Sequence, residues 1–203
     1  NNMGMKICVL QPDYSTTAVD YQYYDPERKL AHLAPDDEVV NVSLNKLTTY
    51  KQLQELSKQG FDIFVNLCEG YLEWEVPSID VIHSLELLNL PYTGPTTTLY
   101  DPPKTLMKYV AYCEGIRTPQ HFVVRHVSDW DHRKEKISFP LFIKPAKAGD
   151  SLGVHHDSKV DDWDAALQKT NELLKEFPEL LVEEYIEGRE FTVLVAANPD
   201  GKT

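Results

Sequence analysis

Two stretches of this 203-residue chain concentrate residue types that can do chemistry: FPLFIKPAKAGDSLGV at residues 139–154 and LVEEYIEGREFTV at residues 181–193. The first reads as a short strand, Leu141, Phe142 and Ile143, that ends in Lys144 and runs into a loop holding Gly149, Asp150, Ser151 and Gly153. A lysine on a rigid strand supplies a point charge. Glycines beside it let backbone N–H groups approach anionic oxygens closely, which is the chemistry of a phosphate site. Most strand-end lysines are merely solvated, so the motif needs its context. That context is the second stretch, where an apolar strand runs into Glu183, Glu184, Tyr185 and Ile186, turns at Gly188 and resumes with Glu190. The order strand, lysine, glycine loop, helix, strand, carboxylates points to nucleotide binding.

The elements that must position these residues follow from patterning. Residues 6–10 (KICVL) are an apolar run stopped by Gln11-Pro12-Asp13, a first parallel strand. Further strands are expected at 39–42 and 61–67, with helices at 48–59, ending at Gly60, and at 78–90. This alternation implies a parallel sheet with helices on both faces. Proline-rich segments around 91–103 mark a domain boundary near residue 100. A helix at 104–114, strands at 120–124 and 141–144, a helix at 160–176 and paired strands at 181–186 and 191–196 complete the expectation.

Composition bounds the function. Apolar content of 42% describes a globular α/β chain long enough for one large or two small domains. A net charge of −12 excludes nucleic acid as an expected partner and reads as solubility. No apolar run approaches the roughly 20 residues that cross a bilayer, and the start, NNMGMKICVL, reads as a strand rather than a signal peptide. Cys8, Cys68 and Cys113 are far apart in apolar contexts, as expected of buried, reduced thiols in a cytoplasmic protein, and none forms a Cys-x-x-Cys zinc pattern.

Across residues 60–196 the chain resembles the D-alanine–D-alanine ligase family of ATP-grasp enzymes. LELLNLPYTG at 85–94 is similar to the family's helix end and following loop. KTLMKYVAYCEGIRTP at 104–119 is similar to its lysine-bearing helix, and the two stretches described first resemble its phosphate loop and adenine hinge. The resemblance implies a parallel-sheet domain at 1–100 followed by the first part of an ATP-grasp domain at 101–203, incomplete at its C-terminal end. It implies that Lys104 and Lys144 neutralise the α- and β-phosphates of ATP and that Gly149, Ser151 and Gly153 cradle them. Backbone groups of Glu184 and Ile186 would read adenine, with Glu183 adjacent and Tyr185 walling the pocket. Glu190 would accept from the ribose hydroxyls, a role that suits an acceptor-only carboxylate. The implied activity is an ATP-dependent carboxylate–amine ligation through an acylphosphate.

Departures from the family qualify the substrate. QPDYSTTAVD at 11–20 lacks the family's glycines and glutamate, and CEGYLEWEVPSID at 68–80 lacks its glycine-rich turn, so a substrate other than D-alanine is expected. Asp150 stands where serine is common and would repel phosphate unless turned away or paired. The family's magnesium ligands and oxyanion arginine fall beyond residue 203. The 203 residues alone are therefore expected to be inactive, the full-length parent being the ligase and magnesium its second cofactor. The alternative is a non-catalytic nucleotide-binding or scaffold protein on the same fold. Partners are expected to be ATP, a small carboxylate or amine substrate, and a second copy in a homodimer. His155, His156 and Asp157 look like a metal cluster, but adjacent histidines on a strand face opposite sides. Glu69, Glu73 and Glu75 read as a solvated acidic loop more readily than as an amine site.

Overall fold

The structure, a computed structural model, describes residues 4–18, 25–133, 137–149, 151–193 and 195. Asp150 lies outside the described residues. The chain divides into two compact units, Asn1–Tyr100 and Asp101–Thr203.

In the first unit β1 (Lys6–Pro12), β2 (Glu38–Leu44) and β3 (Ile63–Asn66) form a parallel sheet in the order β2-β1-β3. A central parallel strand is covered on both sides, which is why Cys8, Val9 and Leu10 form a continuous apolar run with no exposure at all. Helix α1 (Thr49–Leu56) contributes Leu53 and Leu56, and α2 (Ile79–Leu87) contributes Val81 and Leu85, to one core with Cys8, Leu10, Leu44 and Phe64. The expectation of helices on both faces is thereby corrected. The apolar stripes of α1 and α2 pack against each other over the same strand residues. Gly60, at φ 72°, ends the short 3-10 extension of α1 in a left-handed conformation that costs glycine nothing.

The second unit holds α3 (Lys104–Cys113), β4 (His121–Val124), β5 (Leu141–Pro145), β6 (Lys159–Val160), α4 (Trp163–Leu173) and β7 (Leu180–Glu184). The four strands form an antiparallel sheet in the order β4-β7-β5-β6. Period-two alternation sends Leu141, Ile143, Leu180 and Val182 to a core with Val124, Trp130, Val160, Ala166 and Leu173. Trp130 is fully buried, edge-on to Phe122 and Trp163, and its indole N–H donates to Thr170 Oγ1 at 3.1 Å. Helix α4 starts at Trp163, three residues later than expected, because Val160 is spent pairing with Leu141 in β6. Asp162 caps it, accepting from Ala165 N at 2.9 Å.

Three further expectations are corrected here. Cys8 and Cys68 are buried, and burial pushes the Cys8 thiol up to about 11 and the Cys68 thiol higher still, but Cys113 is exposed. It ends α3, a helix with no fully buried residue. His155 and His156 do not lie on a strand. His155 leads into a 3-10 turn at His156–Ser158, which Ser158 Oγ anchors by accepting from His155 N at 2.9 Å. Of the strand expected at 191–196, the described residues 191–193 and 195 form none.

Candidate functional site

Strands β5 and β7 lie side by side, and the pleat turns Lys144 and Glu183 to the face opposite the core. Lys144 Nζ donates to Glu183 Oε1. The second oxygen, Glu183 Oε2, meets Lys108 Nζ of α3 at 2.9 Å, and that ammonium also donates to Pro119 O at 3.3 Å. The side chains of Lys108 and Glu183 are each 11% exposed and that of Lys144 is 20% exposed, so the three charges have little access to water. Burial pushes the Glu183 carboxyl up. The hydrogen bonds and charges of Lys144 and Lys108 outweigh burial and hold it below the usual carboxylate range.

Lys104 opens α3. Its backbone N–H reaches Ala146 O at 3.4 Å and its Nζ donates to Ala148 O, which ties the helix to the loop after β5. Burial pushes this ammonium down, and the neighbouring charge of Lys144 pushes the same way, against the pull of Asp101 and Glu183. Three lysines thus converge beside one buried carboxylate. Lys144 also lies 5.6 Å from the ring centre of Phe142, which stacks on Tyr185 at 6.2 Å.

The loop beyond Lys144 is more ordered than glycine content suggests. Leu152 N donates to Gly149 O at 3.0 Å and Val154 N to Ser151 O at 2.9 Å, so these two N–H groups close a tight turn. Ser151 and Gly153 both take positive φ, 58° and 70°. A Cβ on Gly153 would stand 2.6 Å from Pro145 Cγ. At the hinge, Glu184 N donates to Gln120 O at 2.9 Å and Tyr185 N to Pro140 O at 3.1 Å, which fixes the chain where it leaves the sheet. Glu184, Ile186 and Glu190 are exposed.

The structure therefore brings Lys104, Lys144, Glu183 and the 146–149 loop together, with Tyr185 beside them through Phe142. It does not bring Ile186 or Glu190 against the lysines by any described contact. Lys108 and Phe142 were missed by sequence reasoning. Lys108 had a legible signal, since it lies four residues after Lys104 and so shares its helix face. A cavity of about 390 Å³ borders Gln120, His121, Arg133, Ser138, Glu183 and Glu184; Glu183 lines it and none of the three lysines does. Among the described residues no group of three His, Cys, Asp or Glu side chains could hold a metal ion.

Residues 112–203 match a family model described as the D-ala D-ala ligase C-terminus. The chain is 35% identical over 123 residues to a D-alanine–D-alanine ligase of Nocardia farcinica, covering 58% of this chain and 33% of that protein. It is 30% identical over 154 residues to one of Delftia acidovorans, covering 74% and 45%. The crystal structure of the Bacillus anthracis D-alanine–D-alanine ligase complexed with ATP shares its fold at a TM-score of 0.62 and 22% identity, over 91% of this chain and 60% of that one. The chain thus spans less than half the length of these two curated relatives.

Proposed function

Because the chain is a D-alanine–D-alanine ligase-like member of the ATP-grasp family, we propose that it forms the nucleotide-holding part of an ATP-dependent carboxylate–amine ligase whose substrate is not D-alanine. The observation that carries this reading is the convergence of Lys104 and Lys144 beside the 146–149 loop, in a molecule that is otherwise strongly acidic. Clustered cations with little exposure suit a polyphosphate, and the residues present fit one. When bound, ATP supplies a phosphoryl group that activates a carboxylate toward an amine. The chain's own residues orient it: Lys104 and Lys144 take the α- and β-phosphates, Gly149, Ser151 and Gly153 shape the turn over them, and Tyr185 with Phe142 walls the base. Glu184 and Ile186 meet the adenine edge, and Glu190 the ribose. Residues 101–203 are the corresponding ATP-grasp segment and residues 1–100 the preceding domain. No step is assigned to magnesium through the described residues.

The rebuilt first unit supports a different substrate. Gln11, at the end of β1, is spent internally, accepting from Arg28 N at 2.6 Å and donating to Arg28 O at 3.3 Å. Where the family has its glycine-rich segment, Lys46 Nζ donates to Asp80 Oδ1 at 2.6 Å and to Ser78 Oγ at 3.1 Å. Glu69, Glu73 and Glu75 are exposed, the solvated reading. A cytoplasmic location and a homodimer belong to the same proposal. No described helix is long and apolar enough to cross a membrane.

A coupled ATPase screen of the full-length protein against small carboxylates and amino acids tests the activity. Turnover with a carboxylate other than D-alanine is expected, and robust D-alanyl-D-alanine formation would overturn the substrate reading. Nucleotide binding without turnover on any substrate would favour the non-catalytic role. In the same protein, Lys144→Ala should weaken ATP binding by about 1–3 kcal/mol, the loss expected for a charge-assisted contact. Equal calorimetric affinity would remove Lys144 from the site.

A further inference from the structure

Glu183 is a carboxylate in a place built for an anion. It accepts from Lys144 through one oxygen and from Lys108 through the other, at 2.9 Å for the second, with both Glu183 and Lys108 only 11% exposed. An anion that enters to take Lys144 must remove that ammonium from Glu183. A buried carboxylate stripped of its only cation costs far more than the pair gained, whereas one that keeps a second cation stays compensated. Lys108 is that second cation, and it is held independently by Pro119 O at 3.3 Å, so it need not follow Lys144.

We propose that Lys108 is a positioning residue for nucleotide binding: by keeping Glu183 paired, it lets Lys144 exchange Glu183 for a phosphate oxygen. The inference rests on the nucleotide reading of this site and adds to it a residue that touches neither phosphate nor base. Glu183 Oε1 accepts from Lys144 Nζ, the contact that a phosphate oxygen would replace. On binding, Lys144 turns to the ligand and Lys108 alone carries Glu183. No covalent bond is made or broken.

The test is a double-mutant cycle read by calorimetry on the chain, with ATP and with inorganic tripolyphosphate as ligands. Lys108→Met should weaken ATP binding by about tenfold, within the range of coupling between contacting charges. Lys108→Arg, which keeps the cation, should bind ATP within about twofold of wild type, again judged against that coupling range. Adding Glu183→Gln to Lys108→Met should recover most of the loss, because no carboxylate is then stranded. Adding Glu114→Gln instead, at the exposed end of α3, restores the same net charge without touching the pair, and should recover nothing. Glu183→Gln alone should bind tripolyphosphate more tightly than wild type, since Lys144 no longer has an internal competitor.

Unchanged ATP affinity in Lys108→Met overturns the proposal. So does recovery by Glu114→Gln equal to that by Glu183→Gln, which would make Lys108 a source of field only. Should Lys108→Met fail to fold, the Lys108→Met/Glu183→Gln pair measured against Glu183→Gln decides: near-equal affinities support the exchange, and a persistent tenfold gap sinks it. A wild type that binds neither ligand would fell the nucleotide reading and this one together, whereas binding that ignores Lys108 fells this one alone.

Discussion

Glu183 also sets a pH dependence of stability. Its folded-state carboxyl is held below the ordinary range by Lys144 and Lys108, against the opposing effect of burial. A depressed carboxylate contributes stability that is fully present above the unfolded value, about 4.3 for glutamate, and is lost as pH falls through the lower folded value. The wild-type chain should therefore lose stability steeply below about pH 4.3. Glu183→Gln should show a shallower acid limb from a lower starting stability, because two cations then lack their counter-charge. Urea unfolding between pH 3 and 7, followed by tryptophan fluorescence, measures both. Parallel acid limbs would mean that the depressed carboxyl lies elsewhere.

At the scale of the element, the turn after β5 couples backbone conformation to packing. Gly153 sits at φ 70°, and a Cβ there would meet Pro145 Cγ, in a ring closed on the backbone, at 2.6 Å and Phe177 Cε2 at 2.9 Å. Gly115, after α3, has the same φ of 70° but nothing within 4 Å of an added Cβ. Gly115→Ala should cost about 1 kcal/mol, the price of the left-handed conformation alone. Gly153→Ala should cost more, about 2–4 kcal/mol, because conformation and overlap add. Thermal unfolding of the two variants gives the comparison directly. Equal losses would show that Pro145 and Phe177 yield freely and that the turn is not braced by them. The donors of Leu152 and Val154 already close the turn, so ligand-coupled ordering can involve only part of it.

For the whole molecule, the two hydrophobic cores share no residue. One is built from Cys8, Leu10, Leu53, Phe64 and Leu85, the other from Trp130, Ile143, Ala166, Leu180 and Val182. Each unit closes its own sheet, and each has fully buried side chains whose truncation leaves a cavity. Leu53→Ala and Leu180→Ala should each cost about 2–5 kcal/mol. Each loss should appear in one of two unfolding transitions, the first unit's for Leu53 and the second's for Leu180. Differential scanning calorimetry separates them. A single transition lowered equally by both substitutions would show that the chain folds as one cooperative block.

Local sequence determined a good part of this protein. The KICVL run was legible as a parallel strand, because a run with no polar alternation suits a strand covered on both sides, while its central place in the sheet came from the structure. The strand before Lys144, the apolar stripe of α1 with its stop at Gly60, and the lysine opening α3 were equally legible, since each depends on neighbours within a few residues. Family likeness was legible too, because the two motif blocks lie intact in order. What only the tertiary structure decided were the pairings between distant segments. Val160 joined β6 because Leu141 lay opposite it, which shortened α4 at its start. Lys108, 75 positions from Glu183 in the chain, became part of the site because α3 lies over the face that β5 and β7 leave open. A charge's partner in folded space carries no periodicity and no composition signal. Burial then gives that pairing its weight, for the same three side chains spread in water would interact little.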